Sequence, residues 1–447
     1  YVVRWCNLEW SLPFQGGGLN GRRGAGRQPS NFWEVFFMSE GQITVGVDVG
    51  SHMHRVAIGT PEEKIAEEFD LPHNKDGFEK FFGRITHYEE TYQVPVVVAM
   101  EGFNGYARPL DRMVQKKGYR LLNVNNLKLR RFKEIFPSPA KTDVIDARKI
   151  LELVRLQPLL TDQEVILQEV HEVPKEHQVL KRLTRRRRQL VREKASVMNR
   201  MQSDLHAVSP ELADLAKNKD GLAFLRFLTC REDLRQLERV QKRTLLGIKG
   251  IGEGFAGKVK EWQKKAQFSE EAEYVGPMII EDGRRILELK ERIKALDKQI
   301  GELCERSDLA GIVRSIPGFG LTCTSEIVAE IGSMDRFRSE GSLAMYLGMA
   351  PLDNSSGKRR GTRHAKQVNI RARSAMMTAM SRHILRVEES ERYYRKKRNE
   401  GKKHNQAIRS LGRHMVRVMW SMTRDGHFYE NREKNNMVEV VKEAIPA

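Results

Sequence analysis

From Ile43 the chain alternates apolar and polar positions with a period of two. Ile43, Val45, Val47 and Val49 alternate with Thr44, Gly46 and Asp48, the pattern of a strand with one buried face. His54–Gly59 and Lys64–Leu71 read as two further strands, and the short turns between the three predict an antiparallel meander. Gly77–Tyr92 has helical spacing. Val94–Glu101 is a nearly continuous apolar run, as expected of a buried strand. Ala107–Gly118 predicts a helix closed by glycine, Arg120–Val124 a strand, and Thr142–Leu156 a helix with Val144, Ile145, Ile150, Leu151 and Val154 on its apolar face. Three strands, helix, strand, helix, strand, helix over residues 38–160 predict a mixed sheet with helices packed on it, an α/β domain.

The remainder is patterned for helices, so an all-α part follows the sheet. In residues 161–307, His177–His206 carries Leu183, Leu190 and Val197 at seven-residue spacing. Arg284–Arg306 carries Ile286, Leu289, Ile293, Leu296, Ile300 and Leu303 at steps of three and four. This heptad seam predicts a helical, coiled-coil middle whose partner helix lies either in the same chain or in a second copy. Residues 308–430 predict a mainly helical C-terminal domain: Leu309–Ser315, Leu321–Ile331, a loop-rich basic stretch from Gly348 to Lys366, Asn369–Arg386 and Ala407–Arg424. Residues 1–37, with Gly16-Gly17-Gly18 among arginines, read as a disordered extension, and 431–447 as a tail. Met376, Met377, Met380, Met415, Met419 and Trp420 are assigned to the core, and His52 and His54 to a polar strand face.

Charge changes this picture. The 447 residues hold 78 Lys and Arg against 59 Asp and Glu, a net of +19. Residues 38–160 are balanced at 18 basic against 17 acidic, whereas residues 341–424 hold 20 basic against 5 acidic, a net of +15. A polyanionic partner is expected for the C-terminal part. No run of about 18 apolar residues is present, so no membrane span is expected. Four cysteines without CxxC spacing exclude a cysteine zinc site and fit a cytoplasmic location.

Four constellations carry candidate chemistry. Asp48 in the first strand, Glu101 at the end of the fourth, and Asp143 and Asp146 on the first turn of the following helix are hard oxygen donors suited to Mg²⁺ or Mn²⁺. Two such ions can clamp a phosphodiester. Each residue alone is an ordinary capping or strand-end carboxylate; together they fall where this element order converges. Ser355-Ser356-Gly357-Lys358-Arg359-Arg360, with Arg363, places hydroxyls beside cations able to hold a phosphate. Ile316-Pro317-Gly318-Phe319-Gly320 between two helices resembles a helix-hairpin-helix turn, in which Gly318 and Gly320 let backbone amides approach a phosphate. Ile248-Lys249-Gly250-Ile251-Gly252 is a weaker copy, because Gly254 and Gly257 fall in the helix that should follow. Finally, Arg185, Arg186, Arg187 and Arg188, and Arg395 and Lys396 within Arg392–Arg398, offer cations for a nucleic-acid backbone, with Tyr393 and Tyr394 available for stacking.

Residues 38–160 resemble the RuvC-like, ribonuclease-H-type fold with a DEDD tetrad. Lys141-Thr142-Asp143-Val144-Ile145-Asp146-Ala147-Arg148 and the Ser-Gly loop together resemble the IS-one-ten family of insertion-sequence transposases, relatives of the Piv DNA invertase, over roughly residues 42–430. The resemblance implies a Mg²⁺-dependent transposase or recombinase with a RuvC-like DEDD nuclease domain. It implies that Asp48, Glu101, Asp143 and Asp146 hold metal and that Ser356 is the nucleophile, with Ser355 as the alternative register. It also implies target and donor DNA and a structured bridge RNA as partners, and a homo-oligomeric dimer or tetramer with the site shared between protomers. A junction-resolving metal nuclease using water is the alternative. A sugar-kinase-like phosphotransferase ranks lower, because the second phosphate loop is missing. A non-catalytic binding scaffold is disfavoured by the intact tetrad and Ser-Gly loop.

Overall fold

The computed structural model describes residues 41–62, 64–101, 107–135, 143–157, 167–216, 218–353, 362–365 and 368–430; the expected extension 1–37 and tail 431–447 lie outside these. The chain divides into two compact units at Val170/His171, so the helical middle and the C-terminal part both fall in the second.

The first unit is a six-stranded sheet. Strands Ile43–Asp48 (β1), Met53–Gly59 (β2) and Ile65–Pro72 (β3) form the expected antiparallel meander. Helix Lys75–Tyr92 (α1) starts on the Asn74 side chain, which accepts from the Gly77 amide, and ends at left-handed Gln93. Val96–Glu101 (β4) pairs parallel with β1. Arg108–Lys116 (α2) leads to Arg120–Val124 (β5), which pairs parallel with β4. Helices Asn126–Ile135 (α3) and Asp143–Leu156 (α4) precede Leu167–Glu169 (β6), giving the order β3-β2-β1-β4-β5-β6. The pattern leaves α3 and β6 unannounced: α3 lacks a long apolar stripe, and β6 has three residues.

The two sheet faces follow from the period of two. Ile43, Val45, Val47, Val98 and Met100 are buried with Phe81 and Ile85 of α1 and Leu110 of α2. Each such side chain contributes about 1.5–3 kcal/mol by leaving water. Val97, Ala99, Leu122 and Val124 face the other way, with Phe132 of α3 and Ile150 and Leu153 of α4. His54 corrects the polar-face expectation. It is buried on the α1 side, its Nε2 2.7 Å from His73 Nδ1, and burial together with His73 pushes its pKa down to about 4.

The second unit opens with Lys175–Val208 (α5). Short helices Pro210–Asp214 (α6), Leu222–Leu228 (α7), Lys242–Gly247 (α8) and Glu253–Gln263 (α9) lead to Ala272–Glu305 (α10). Ion pairs Arg187–Asp297, Glu193–Arg285 and Arg200–Asp282 show α5 and α10 running antiparallel along one another. The seam residues Ile286, Leu289 and Ile300 are buried, so the heptad pattern finds its partner helix within the chain. Gly250 turns the chain at φ 89°, and α9 forms despite Gly254 and Gly257. Both glycines face open space, while Ala256, Val259 and Trp262 anchor the opposite side.

Asp308–Arg314 (α11), Leu321–Ile331 (α12) and Glu340–Tyr346 (α13) follow, then strands Pro351–Asp353 (β7) and Thr362–His364 (β8), and helices Ile370–Ile384 (α14), Glu388–Asn399 (α15) and His404–Asp425 (α16). Met376, Met380, Met415 and Met419 are buried with Ile316, Phe319 and Ile327, as the core assignment expects. His177 of α5 hydrogen-bonds the Gly332 carbonyl through Nδ1 and Ser307 Oγ through Nε2. Ser307 Oγ also accepts from the Ala310 amide. A carbonyl only accepts, so Nδ1 carries the proton of that bond. This Ser–His contact locks helix ends together.

Candidate active site

Asp48 and Glu101 are brought together by register. On β1, Thr44, Gly46 and Asp48 share the face opposite Val45 and Val47; on β4, Val97, Ala99 and Glu101 do the same. The strands are parallel, with Val47 opposite Met100. One step further, both end on a carboxylate at the same edge and on the same face.

Gly46 sets the third contribution. A Cβ at this position would lie 2.7 Å from the Ala147 carbonyl and 3.2 Å and 3.3 Å from Leu151 and Ile150. Its absence lets α4 lie against β1, with Ala57 and Ala147 as further small contacts. The helix runs antiparallel to the strand: Ala147 sits at Gly46, while Arg155 reaches Gly59 and the Lys64 carbonyl. The first turn of α4, with Asp143 and Asp146, therefore overlies the sheet edge that carries Asp48 and Glu101. The Asp143 side chain lies outside the described residues.

Cations border this cluster. Lys133 of α3 ion-pairs with Asp146 at 2.7 Å. Burial raises the Glu101 pKa; Lys133 opposes that rise and Asp146 adds to it, so the three groups share one field. Arg55 pairs in register with Asp48 and is held by Asp70 of β3 at 3.0 Å, with its Nε buried and without a hydrogen-bond partner among the described residues. Arg148 of α4 makes two 2.6 Å hydrogen bonds to Glu68 of β3. Lys133 escapes sequence reading because α3 does, and Arg55 because only strand register places it opposite Asp48.

A divalent cation suits the donor type. Asp48, Glu101 and Asp146 offer hard oxygens; burial is the main cause of the raised Glu101 pKa, and Asp146 adds a smaller like-charge contribution that a cation would relieve. Among the described residues, no group of three or more His, Cys, Asp or Glu side chains is close enough to hold one ion.

The serine constellation falls at a hairpin. β7 and β8 pair antiparallel with Asp353 opposite Thr362, bracketing residues 354–361. Ser355, Ser356, Lys358, Arg359 and Arg360 lie outside the described residues. Arg363 lies in β8, and its side chain is likewise outside them. The hairpin base sits close to two helices. Gly348, at φ 68°, carries the Arg373 side chain of α14 over it, and Gly412 of α16 makes room for Met349.

The helical cations divide. Arg185 makes two hydrogen bonds, of 2.8 Å and 2.9 Å, to buried Glu330; Arg188 pairs with Glu326 and Arg187 with Asp297. Three of the four arginines read as backbone contacts are thus engaged inside the unit, and Arg186 alone of the run is exposed. Arg395 is exposed and pairs with Glu391 one turn away, and Lys396 is exposed. Gly318, read as a phosphate contact, is buried. At φ 94° it packs on the α14 backbone, where a Cβ would lie 2.5 Å from His383 N, and His383 Nδ1 donates to the Pro317 carbonyl at 2.6 Å. Interior packing explains this glycine. Gly320 is the exposed N-cap of α12.

No helix among the described residues is long and apolar enough to cross a membrane. A transposase profile named for DEDD and IS110 matches residues 45–210, and the profile of the transposase IS116/IS110/IS902 family matches residues 310–395. The chain is 29% identical over 323 residues to the 44.8 kDa protein of insertion element IS116 from Streptomyces clavuligerus, covering 70% of this chain and 78% of that one. It is 25% identical over 402 residues to the 43.6 kDa protein of insertion element IS110 from Streptomyces coelicolor, covering 87% and 96%. A 155-residue stretch is 34% identical to the 42 kDa protein of insertion element IS900 from Mycobacterium paratuberculosis, covering 32% and 38%. One profile covers the acidic sheet unit and runs on through α5, the other runs from α11 into α15 across β7 and β8, together more than half of the chain, and the chain belongs to the IS110/IS116 family of insertion-sequence transposases.

Proposed function

We propose that this protein cuts and rejoins DNA strands through a serine nucleophile and a divalent-metal site of the DEDD type. The supporting observation is the convergence of Asp48 and Glu101 on one sheet edge beneath the first turn of α4. Asp48, Glu101, Asp143 and Asp146 would hold Mg²⁺ or Mn²⁺, which when bound supplies Lewis-acid stabilisation of phosphodiester oxygens. The Ser356 oxygen attacks phosphorus and loses its proton to solvent or a nearby base. The bond to the departing deoxyribose oxygen breaks, and that oxygen takes up a proton. A second strand's hydroxyl then attacks the phosphoserine, forming the new phosphodiester and releasing the serine.

A structured bridge RNA is proposed as guide. Its support is the net +15 over residues 341–424, with exposed Arg395 and Lys396. The dimer or tetramer is proposed from the family resemblance, since the heptad seam is satisfied within one chain.

Strand exchange on a plasmid carrying the element's ends tests the chemistry. Asp48→Ala and Ser356→Ala should each lower the rate by at least about a thousand-fold, and denaturing gels should trap a covalent protein–DNA species that Ser356→Ala abolishes. Full activity of either variant refutes its assigned role. Cleavage without a covalent species favours the water-using nuclease, a reading supported by three acidic groups lying within the first unit. Sequencing the nucleic acid that copurifies tests the guide: a defined RNA encoded beside the gene supports it, and random host RNA opposes it.

A further inference from the structure

In the helical unit, two half-buried arginines on neighbouring helices, Arg373 on α14 and Arg409 on α16, have no carboxylate partner among the described residues. The nearest competing cations of α16, Arg413 and Arg417, both bind Glu340, so that acid is already spent. Arg409 feels the charge of Arg373. Burial and the charge of Arg373 together lower the Arg409 pKa, the direction expected when a half-buried guanidinium has a second cation nearby.

Their position gives the pair a use. Arg373 lies over Gly348, which leads into the β7–β8 hairpin. Gly412, one turn beyond Arg409 on α16, receives Met349 of the same segment. Both helices are held by the buried core around Met376, Met380 and Met415, so the guanidiniums are mounted on rigid elements beside the strands that bracket residues 354–361. Guanidinium is weakly hydrated, stays charged, and matches two oxygens of a phosphate in its plane.

We propose that Arg373 and Arg409 form a clamp for a DNA phosphodiester at the base of the Ser-Gly hairpin. This deepens the reading of the hairpin as the part that engages DNA, and it requires no contribution from the loop residues themselves. An empty clamp costs stability through mutual repulsion, and a bound phosphate removes that cost. Binding capacity and stability therefore trade against each other at these two positions.

The experiment compares the full-length protein with Arg373→Gln, Arg409→Gln and the double variant, each titrated with a fluorescent 40-base-pair duplex and with a folded transfer RNA across a salt series. Melting temperatures are read without nucleic acid. The double variant should bind the duplex about ten-fold more weakly. Its slope of log affinity against log salt should fall by about one to two, since each lost phosphate contact removes about 0.9. Its melting temperature without DNA should equal or exceed that of the parent. Unchanged duplex affinity and slope overturn the clamp, and a lower melting temperature with unchanged binding identifies the pair as structural. A loss confined to the RNA probe overturns the assignment to DNA. Ser356→Ala, run in parallel, separates the two proposals: strand exchange retained by that variant removes the serine chemistry and leaves the binding result standing.

Discussion

Two arginine sets in the helical unit differ in whether the fold supplies them a counter-charge. Arg185, Arg187 and Arg188 on α5 each meet a carboxylate from α12 or α10, and Glu330 and Glu326, which two of them meet, are buried. Arg373 and Arg409 meet none among the described residues. The first set holds three helices in register, whereas the second holds positive charge ready for an external anion. A run of four adjacent arginines is therefore a poor guide to ligand binding, and two arginines separated by 36 positions are a better one. What matters is whether the fold supplies the counter-charge.

The sharpest way to break this contrast is Glu330→Ala. Glu330 is 1% exposed and accepts from both Arg185 and Asn369. Burial alone would raise its pKa, but the bonds from Arg185 and Asn369 outweigh this and hold it low. A carboxylate depressed in the folded state adds stability above its unfolded pKa and loses it as pH falls through the folded one. Denaturant unfolding at neutral pH should show a loss of about 3–5 kcal/mol, and the gap between variant and parent should close as the pH falls below the ordinary carboxylate range. A cost under about 1 kcal/mol would mean that the α5 run is not structural.

Gly318→Ala comes next. The residue sits at φ 94° with the α14 backbone where a Cβ would go, so unfolding should show a loss of about 1–3 kcal/mol. Duplex affinity below the transition should stay unchanged; an affinity loss without a stability loss would restore its role as a phosphate contact.

Lys133→Met sharpens the contrast from the acidic side, since Lys133 does for Asp146 what Glu330 does for Arg185. Without metal the variant should lose about 1–2 kcal/mol, because Asp146 and Glu101 then face each other uncompensated. Mn²⁺ titrated by electron paramagnetic resonance should bind several-fold more tightly, since the competing ammonium is gone. If affinity is unchanged while the parent binds Mn²⁺, Lys133 is no competitor; if the parent binds none, the cluster is not a metal site. Arg186→Gln should give the smallest effect, within about 0.5 kcal/mol of the parent, because this arginine is exposed and, among the described residues, bonds only Gln189 of its own helix at 3.4 Å. A larger loss would make the whole run structural.

Much of the sheet unit was legible. Period-two alternation from Ile43 and the apolar run ending at Glu101 identify β1 and β4, because a strand's faces are written in alternate residues and a one-residue slip would expose Val45 and Val47. Asp48 and Glu101 were legible for the same reason, as polar endings of apolar strands, and Asp146 as a carboxylate on the first turn of a helix. Lys133 and Arg55 were not, since their proximity to the carboxylates depends on helix docking and strand register. His54 was misread because its partner, His73, lies 19 residues away. Gly318 was misread because a glycine motif does not say whether ligand or protein fills the space beside it.

Local periodicity and side-chain identity already carry most of the elements, the balance of charge and the residue types able to do phosphodiester chemistry, whereas α3 and β6 needed the fold. The tertiary structure decided which charges cancel. It turned the heptad seam inward onto α5, set three arginines of one run on carboxylates more than 100 residues away, and left Arg373 and Arg409 without one among the described residues. Electrostatic pairing falls steeply with distance in space and is indifferent to distance along the chain, so only the folded arrangement fixes it.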